Sequence, residues 1–141
     1  MSTPRHVAFV TCAELPLLAP DDILAADALR SRGLLVSPAI WNDPGVRWDL
    51  FDHLVIRSPW DYHLRAGAFA RWLDERDAHG ASMTNPCAVL RWNLEKTYLR
   101  ELERRSGVAL VPTVWAERGS RLSLARIVEA AGWERAVVKP T

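Results

Sequence analysis

Residues 6–11 read His-Val-Ala-Phe-Val-Thr, a short apolar run with no turn signal inside it. A run that is apolar at successive positions, rather than at alternate ones, is typical of a strand buried on both faces. Further strands are predicted at residues 34–40 and 53–57 and, more briefly, at residues 81–84. Strands covered on both faces indicate a parallel sheet with helices on each side, so these runs predict an α/β fold.

Two helical segments separate these strands. The first begins near Asp21 and Asp22, which offer an N-cap and negative charge for its first turn, and Gly33 closes it. The second spans residues 66–78, where large apolar side chains recur at helical spacing. The order strand, helix, strand, strand, helix, strand predicts a Rossmann-like, open and mostly parallel sheet with flanking helices.

The pattern changes after Asn85-Pro86, and we expect two domains, at residues 1–90 and 91–141. About 50 residues are too few to bury a core of their own, so we expect the second domain to be an incomplete α+β segment. Beyond Pro86 we predict three helices and one strand, at residues 87–92, 94–105, 123–131 and 136–139.

Composition excludes several classes of function. The chain has 18 basic and 17 acidic residues and a net charge of +1, which argues against a nucleic-acid or anionic membrane surface. Its two cysteines are too few for a disulfide framework, and its four histidines lack metal-ligand spacing. We therefore expect no metal ligands in this segment, a buried thiol at Cys12 and a cytoplasmic location.

Polar side chains gather at one edge of the predicted sheet. Ligands of open parallel sheets bind beyond the carboxyl ends of the strands, where the strand order reverses. Candidates at that edge for contact with a small molecule are Glu14, Arg57, Ser58, Trp60 and Asp61. A purely structural alternative stays open, in which Arg57 pairs with Asp61, Ser58 caps the next turn and Trp60 packs against the domain.

Lys96 and Lys139 are the two lysines among the 18 basic residues. In a chain rich in arginine, a retained lysine suggests a position that requires the compact ammonium group. Lys96 lies at the start of the predicted helix 94–105, and Lys139 lies at the end of the predicted strand, where a buried charge needs an anion. The alternative is that both are surface lysines whose stems cover apolar neighbours.

The chain resembles the front part of the ATP-grasp superfamily, in the branch related to glutathione synthetase and cycloserine synthetase. The matching stretches span nearly the whole chain in family order. They are Val10-Thr11-Cys12-Ala13-Glu14-Leu15-Pro16, Arg57-Ser58-Pro59-Trp60-Asp61-Tyr62, Asn85-Pro86, Arg91-Trp92-Asn93 with Lys96, Val111-Pro112-Thr113 and Val137-Val138-Lys139-Pro140.

This resemblance implies a pre-ATP-grasp domain that helps to form a substrate pocket, followed by the beginning of an ATP-grasp domain. It implies that Lys96 and Lys139 contact the phosphates of ATP, and that the five polar residues named above lie on the substrate side. The implied activity joins a small-molecule carboxylate to an amine through an acyl-phosphate, with ATP and Mg²⁺ as cofactors.

The family pattern continues after Lys139 with a Gly-rich loop and with acidic and Asn ligands of Mg²⁺, which the 141 residues do not contain. We therefore expect the chain to be the N-terminal portion of a ligase that does not turn over ATP by itself. A non-catalytic Rossmann-like module that binds a small molecule or a partner is the alternative. Apolar surface on an incomplete second domain would favour a homodimer.

Overall fold

The computed structural model describes residues 5–117 and 119–139. It divides into two compact units, the first ending at Leu94 and the second beginning at Glu95. The division lies at the end of a helix and close to the predicted boundary between residues 90 and 91. The first unit contains strands β1 His6–Thr11, β2 Leu35–Ile40, β3 His53–Ser58 and β4 Met83–Thr84, and helices α1 Pro20–Arg30, α2 Ala66–Ala78 and α3 Cys87–Leu94.

The four strands form one parallel sheet in the order β2-β1-β3-β4. This confirms the predicted α/β class with an open parallel sheet. Strand β1 lies between two neighbours and is covered on both faces. Ala8 and Val10 belong to a core that includes side chains of α2, whereas Val7 and Phe9 pack in a second core with Ala26 of α1. The two cores explain why β1 is apolar at every position from Val7 to Val10.

Helix α1 begins differently from the prediction. Its N-cap is Ala19, and Pro20 occupies the first helical position, where the missing N–H of proline is not needed. Asp21 and Asp22 lie in the first turn, so the N-cap role predicted for them is wrong, while their place near the positive end of the helix is confirmed. Asp22 is buried, with 1% of its surface exposed.

Strand β3 contains a bulge opposite the end of β1. Val10 pairs with Ile56, and Thr11 pairs with Ser58, so Arg57 is passed over in the register. Successive side chains of a regular strand point to opposite faces of the sheet, but a bulge breaks this alternation. Arg57 and Ser58 can therefore both reach one group on the same side of the sheet.

The second unit contains helices α4 Tyr98–Ser106 and α5 Leu124–Ala131. Gly107, which the sequence predicts as the end of this helix, ends α4 with a left-handed φ of 62°. The sequence offers Ser120 or Ser123 as the cap of α5, and it is the Ser123 side chain that caps it. Lys96 lies in the turn before α4 and not inside a helix that begins at residue 94. Helix α4 therefore begins at Tyr98, later than the predicted start at residue 94.

The strand predicted at residues 136–139 is wrong. This segment has no regular structure, and its valines, Val137 and Val138, are 82% and 72% exposed. A strand needs a neighbouring strand to pair its backbone groups, and among the described residues of the second unit there is none. Pro140 lies outside the described residues. Within the ranges the structure covers, no helix has the length and apolar character needed to cross a bilayer.

Candidate functional site

A cavity opens beyond the carboxyl ends of β1 and β3. The chain runs from β1 to β2 on one side of β1 and then returns to β3 on the other side, so the strand order reverses between these two strands. Ligands of open α/β sheets bind at such a point. The cavity has a volume of about 370 Å³ and is lined by Cys12, Glu14, Leu15, Trp60, Asp61, His63 and Leu64. The structure thus brings three of the five candidate substrate residues, Glu14, Trp60 and Asp61, to one cavity.

One wall of the cavity is the loop that follows β1. Three hydrogen bonds close this loop: Leu15 N donates to Cys12 O at 3.0 Å, Thr11 Oγ1 donates to Leu15 O at 2.9 Å, and Leu18 N donates to Leu15 O at 3.0 Å. Thr11 and Cys12 are buried at its base, so the predicted buried thiol is confirmed. Glu14 lies at the exposed tip between these anchors.

Glu14 carries a negative charge at neutral pH. Its carboxylate accepts hydrogen bonds from its own backbone N–H and from the Cys12 thiol, and Arg65 lies near enough to attract it. These interactions lower the pKa of Glu14 below its ordinary value, against a smaller opposing effect of burial. The loop therefore presents an ionised carboxylate to the cavity.

The opposite wall is the 3-10 turn Trp60–Arg65, which follows β3. Its Asp61 is half-buried and accepts a hydrogen bond of 2.7 Å from Nε1 of Trp41, a buried residue at the end of β2. This bond orients the Asp61 carboxylate. Trp60 is 59% exposed, so the alternative that it packs against the domain is wrong. An exposed indole beside carboxylates suits a ligand that carries a positive charge.

The Cys12 sulfur and one carboxylate oxygen each of Glu14 and Asp61 lie within 4.8 Å of one another. Mg²⁺ takes oxygen ligands in nearly ideal octahedral geometry, whereas a thiol suits softer metals. This donor set does not fit Mg²⁺, and we assign no metal to it.

Arg57 and Ser58 share a buried partner on the other side of the sheet. Arg57 Nε donates to Asp22 Oδ1 at 2.5 Å, and Ser58 Oγ donates a short hydrogen bond to Asp22 Oδ2. The structural alternative predicted that Arg57 pairs with Asp61 and that Ser58 caps the next turn. Both expectations are wrong, because the bulge in β3 turns both side chains toward Asp22 of α1.

Asp22 is the site residue that sequence reasoning missed. An acidic residue in the first turn of a helix is common at the surface, and this hid the burial of Asp22. The spacing of Asp22, Ala26 and Leu29 does place all three on one helical face, which was the available signal. For Trp41, the position directly after a strand allows either packing or a place in a ligand wall; the structure buries the residue and bonds it to Asp61.

Lys96 and Lys139 both belong to the second unit. Lys96 is half-buried, and its ammonium nitrogen lies 5.8 Å from the centre of the Tyr98 ring. Lys139 is exposed, which corrects the expectation of a buried strand end. Their contact with a common anion stays a prediction.

Three comparisons with known proteins agree. A family model described as "D-cycloserine synthetase DcsG, N-terminal domain" matches residues 7–85. The cycloserine biosynthesis protein DcsG of Streptomyces lavendulae is 36% identical over 118 residues, which are 82% of this chain and 39% of that protein. The crystal structure of D-cycloserine synthetase DcsG is similar with a TM-score of 0.73 at 29% identity, over 90% of this chain and 43% of that chain. The chain therefore spans less than half the length of these relatives.

Proposed function

The chain belongs to the family of the D-cycloserine synthetase DcsG N-terminal domain, and from this we propose that it is the N-terminal portion of an ATP-dependent carboxylate–amine ligase. Its substrates would be a small-molecule carboxylate and an amine, and its location the cytoplasm. ATP, when bound, would supply the phosphoryl group that activates the carboxylate as an acyl-phosphate. The role of the residues described above is to bind and orient the substrates.

The cavity between β1 and β3 is the observation that carries this proposal. Its rim holds two carboxylates, an ionised one on Glu14 and an oriented one on Asp61. A protonated amino group is the natural partner of two carboxylates, and the face of the Trp60 indole adds attraction for the same cation. We therefore assign Glu14, Trp60 and Asp61 to the amino group of a substrate.

Arg57 is assigned to the carboxylate of a substrate. It is the last residue but one of β3, near the same edge of the sheet but outside the cavity lining, and 40% of its side chain is exposed. A guanidinium donates to both oxygens of a carboxylate, which gives orientation as well as affinity. Ser58 is only 2% exposed and donates to Asp22, so we assign it a supporting role behind Arg57.

Lys96 and Lys139 are assigned to the phosphates of ATP. Ammonium groups are suitable donors for phosphate oxygens, and Lys96 precedes the N-terminal end of α4, which also favours an anion. In the ligase that contains this chain, Lys139→Ala should abolish ATP turnover and leave the circular dichroism unchanged. The matched control is Arg135→Ala, a nearby exposed cation. Unchanged turnover in Lys139→Ala would remove Lys139 from the nucleotide site.

The substrate cavity is tested by NMR titration of the 141-residue chain with D-cycloserine, the compound that the relatives' names contain. D-cycloserine carries one amino group, so we expect saturable shifts of the Trp60 indole N–H and the Glu14 amide. Glu14→Gln and Asp61→Asn should each weaken the binding. Glu75→Gln is the control, because Glu75 is an exposed glutamate on α2 outside the cavity. Shifts confined to residues outside the cavity would contradict the assignment.

A further inference from the structure

We infer that Asp22 is a positioning residue: it holds Arg57 at the carboxyl edge of β3 in the orientation that receives the carboxylate of a substrate. The inference rests on the substrate role proposed for Arg57. It adds a residue on a different element, 35 positions away in the sequence, that would contact no substrate itself.

Asp22 is held rigidly enough to act in this way. Its surface is 1% exposed, and each of its carboxylate oxygens accepts one hydrogen bond, from Arg57 Nε and from Ser58 Oγ. The backbone of Asp22 is fixed in the first turn of α1. A charge-assisted hydrogen bond from a group fixed on a helix restricts the rotation of an arginine that would otherwise explore many rotamers.

The contact to Asp22 leaves the outer end of the guanidinium available. Asp22 engages Nε, the inner nitrogen of the group. Arg57 Nη2 also forms an ion pair with Asp21 Oδ2, but their separation of 3.9 Å is too long for a hydrogen bond, and the Asp21 side chain is 77% exposed. Across the described parts of the chain, the Nη atoms of Arg57 donate no hydrogen bond to the protein. These outer donors are the ones that a bound carboxylate would use.

The bulge in β3 supports a dedicated arrangement. Without it, Arg57 and Ser58 would point to opposite faces of the sheet, and one of them would miss Asp22. Bulges occur often beside functional sites, where they redirect a side chain. Here the bulge lets the consecutive residues Arg57 and Ser58 both bond to the Asp22 carboxylate.

The experiment measures acetate binding to the 141-residue chain by NMR at constant ionic strength, with the Ser58 backbone amide as reporter. Removing the negative charge of Asp22 would, through the Coulomb interaction alone, strengthen the binding of an anion. If Asp22 positions Arg57, its replacement should instead weaken the binding of acetate, so Asp22→Asn should raise the dissociation constant of acetate about fivefold or more. Arg57→Lys should raise it at least as much, and the double variant should bind like Arg57→Lys alone.

The control is Asp49→Asn, because Asp49 also accepts a hydrogen bond from an arginine Nε, that of Arg47, but in an exposed pair. It should leave acetate binding unchanged. If Arg57→Lys weakens binding while Asp22→Asn strengthens it or has no effect, the positioning role is overturned and the role of Arg57 stands. If acetate does not bind, or Arg57→Lys has no effect, the role proposed for Arg57 fails and the positioning role fails with it.

A second measurement needs no variant and covers the case in which Asp22→Asn does not fold. In the wild-type chain, ¹⁵N relaxation of the arginine Nε groups should show Arg57 to be as rigid as the backbone and Arg47 to be mobile. An Arg57 Nε as mobile as that of Arg47 would overturn the inference.

Discussion

Replacing Arg57 by Met should lower the free energy of unfolding markedly. The variant keeps a side chain of similar length but leaves the Asp22 carboxylate, which is 1% exposed, with Ser58 as its remaining partner. Removing one partner of a buried ion pair typically costs about 3–5 kcal/mol. The Arg57 side chain is 40% exposed, so water can replace part of the lost interaction, and we expect a loss of about 2–3 kcal/mol.

A second substitution tests the cause of this loss. Asp22→Asn in the Arg57→Met background removes the uncompensated buried charge and leaves a neutral amide that can still bond to Ser58. The double variant should therefore be more stable than Arg57→Met by about 1 kcal/mol or more. A loss that came only from the missing apolar stem of Arg57 would not be recovered in this way.

Urea unfolding, followed by tryptophan fluorescence, measures these differences, because unfolding exposes the buried Trp41 and Trp72 among the seven tryptophans. Arg47→Met is the matched control, because the pair of Arg47 with Asp49 is exposed and should contribute about 1 kcal/mol or less. Equal losses in Arg57→Met and Arg47→Met, or a double variant less stable than Arg57→Met, would show that the buried charge of Asp22 does not cause the loss.

Four further outcomes are expected. Leu73→Ala, at a fully buried position, should lower the free energy of unfolding by about 2–5 kcal/mol, whereas Leu64→Ala, 72% exposed, should stay within about 0.5 kcal/mol; thermal unfolding of both variants checks this. Trp41→Phe removes the hydrogen bond to Asp61 and also leaves a cavity at a buried position, so it should cost about 2 kcal/mol or more in urea unfolding; an unchanged midpoint would contradict both contributions. Burial raises the pKa of the Cys87 thiol above its value in the unfolded chain. The thiol therefore contributes its full stabilisation below the ordinary thiol pKa, and the free energy of unfolding falls as the pH rises above that value. Urea unfolding at alkaline pH should show a smaller decrease in stability with pH for Cys87→Ala than for the wild type. Calorimetry of the 141-residue chain with Mg·ATP should show no binding, and a micromolar dissociation constant would contradict the expectation that the nucleotide site needs more than these residues.

The parallel sheet was predictable because its signal is local. Strand β1 is apolar at consecutive positions, and this pattern arises directly from burial on both faces. The edge of the sheet that holds the cavity followed from the order of the strands. Gly107 was also assigned correctly as a helix end, and Ser123 was one of two serines offered as the cap of α5, since capping depends on a few neighbouring residues.

The remaining features depend on contacts distant in the sequence. The pairing of Asp22 with Arg57 depends on the bulge in β3, and no sequence pattern predicted this bulge. The apolar segment at residues 136–139 looked like a buried strand, yet a strand forms only against a partner, and its valines stay exposed. Local sequence patterns thus predicted most helices and strands, but they did not predict which charged side chains pair with one another.

The proposed role of the cavity between β1 and β3 is to receive the amino group of a substrate. A crystal structure of the chain soaked with D-cycloserine would show where this compound binds. We expect electron density in this cavity, with the amino nitrogen within hydrogen-bond distance of the Glu14 or Asp61 carboxylate. Density for the ligand at another surface, or in the cavity with its amino group turned away from both carboxylates, would contradict it.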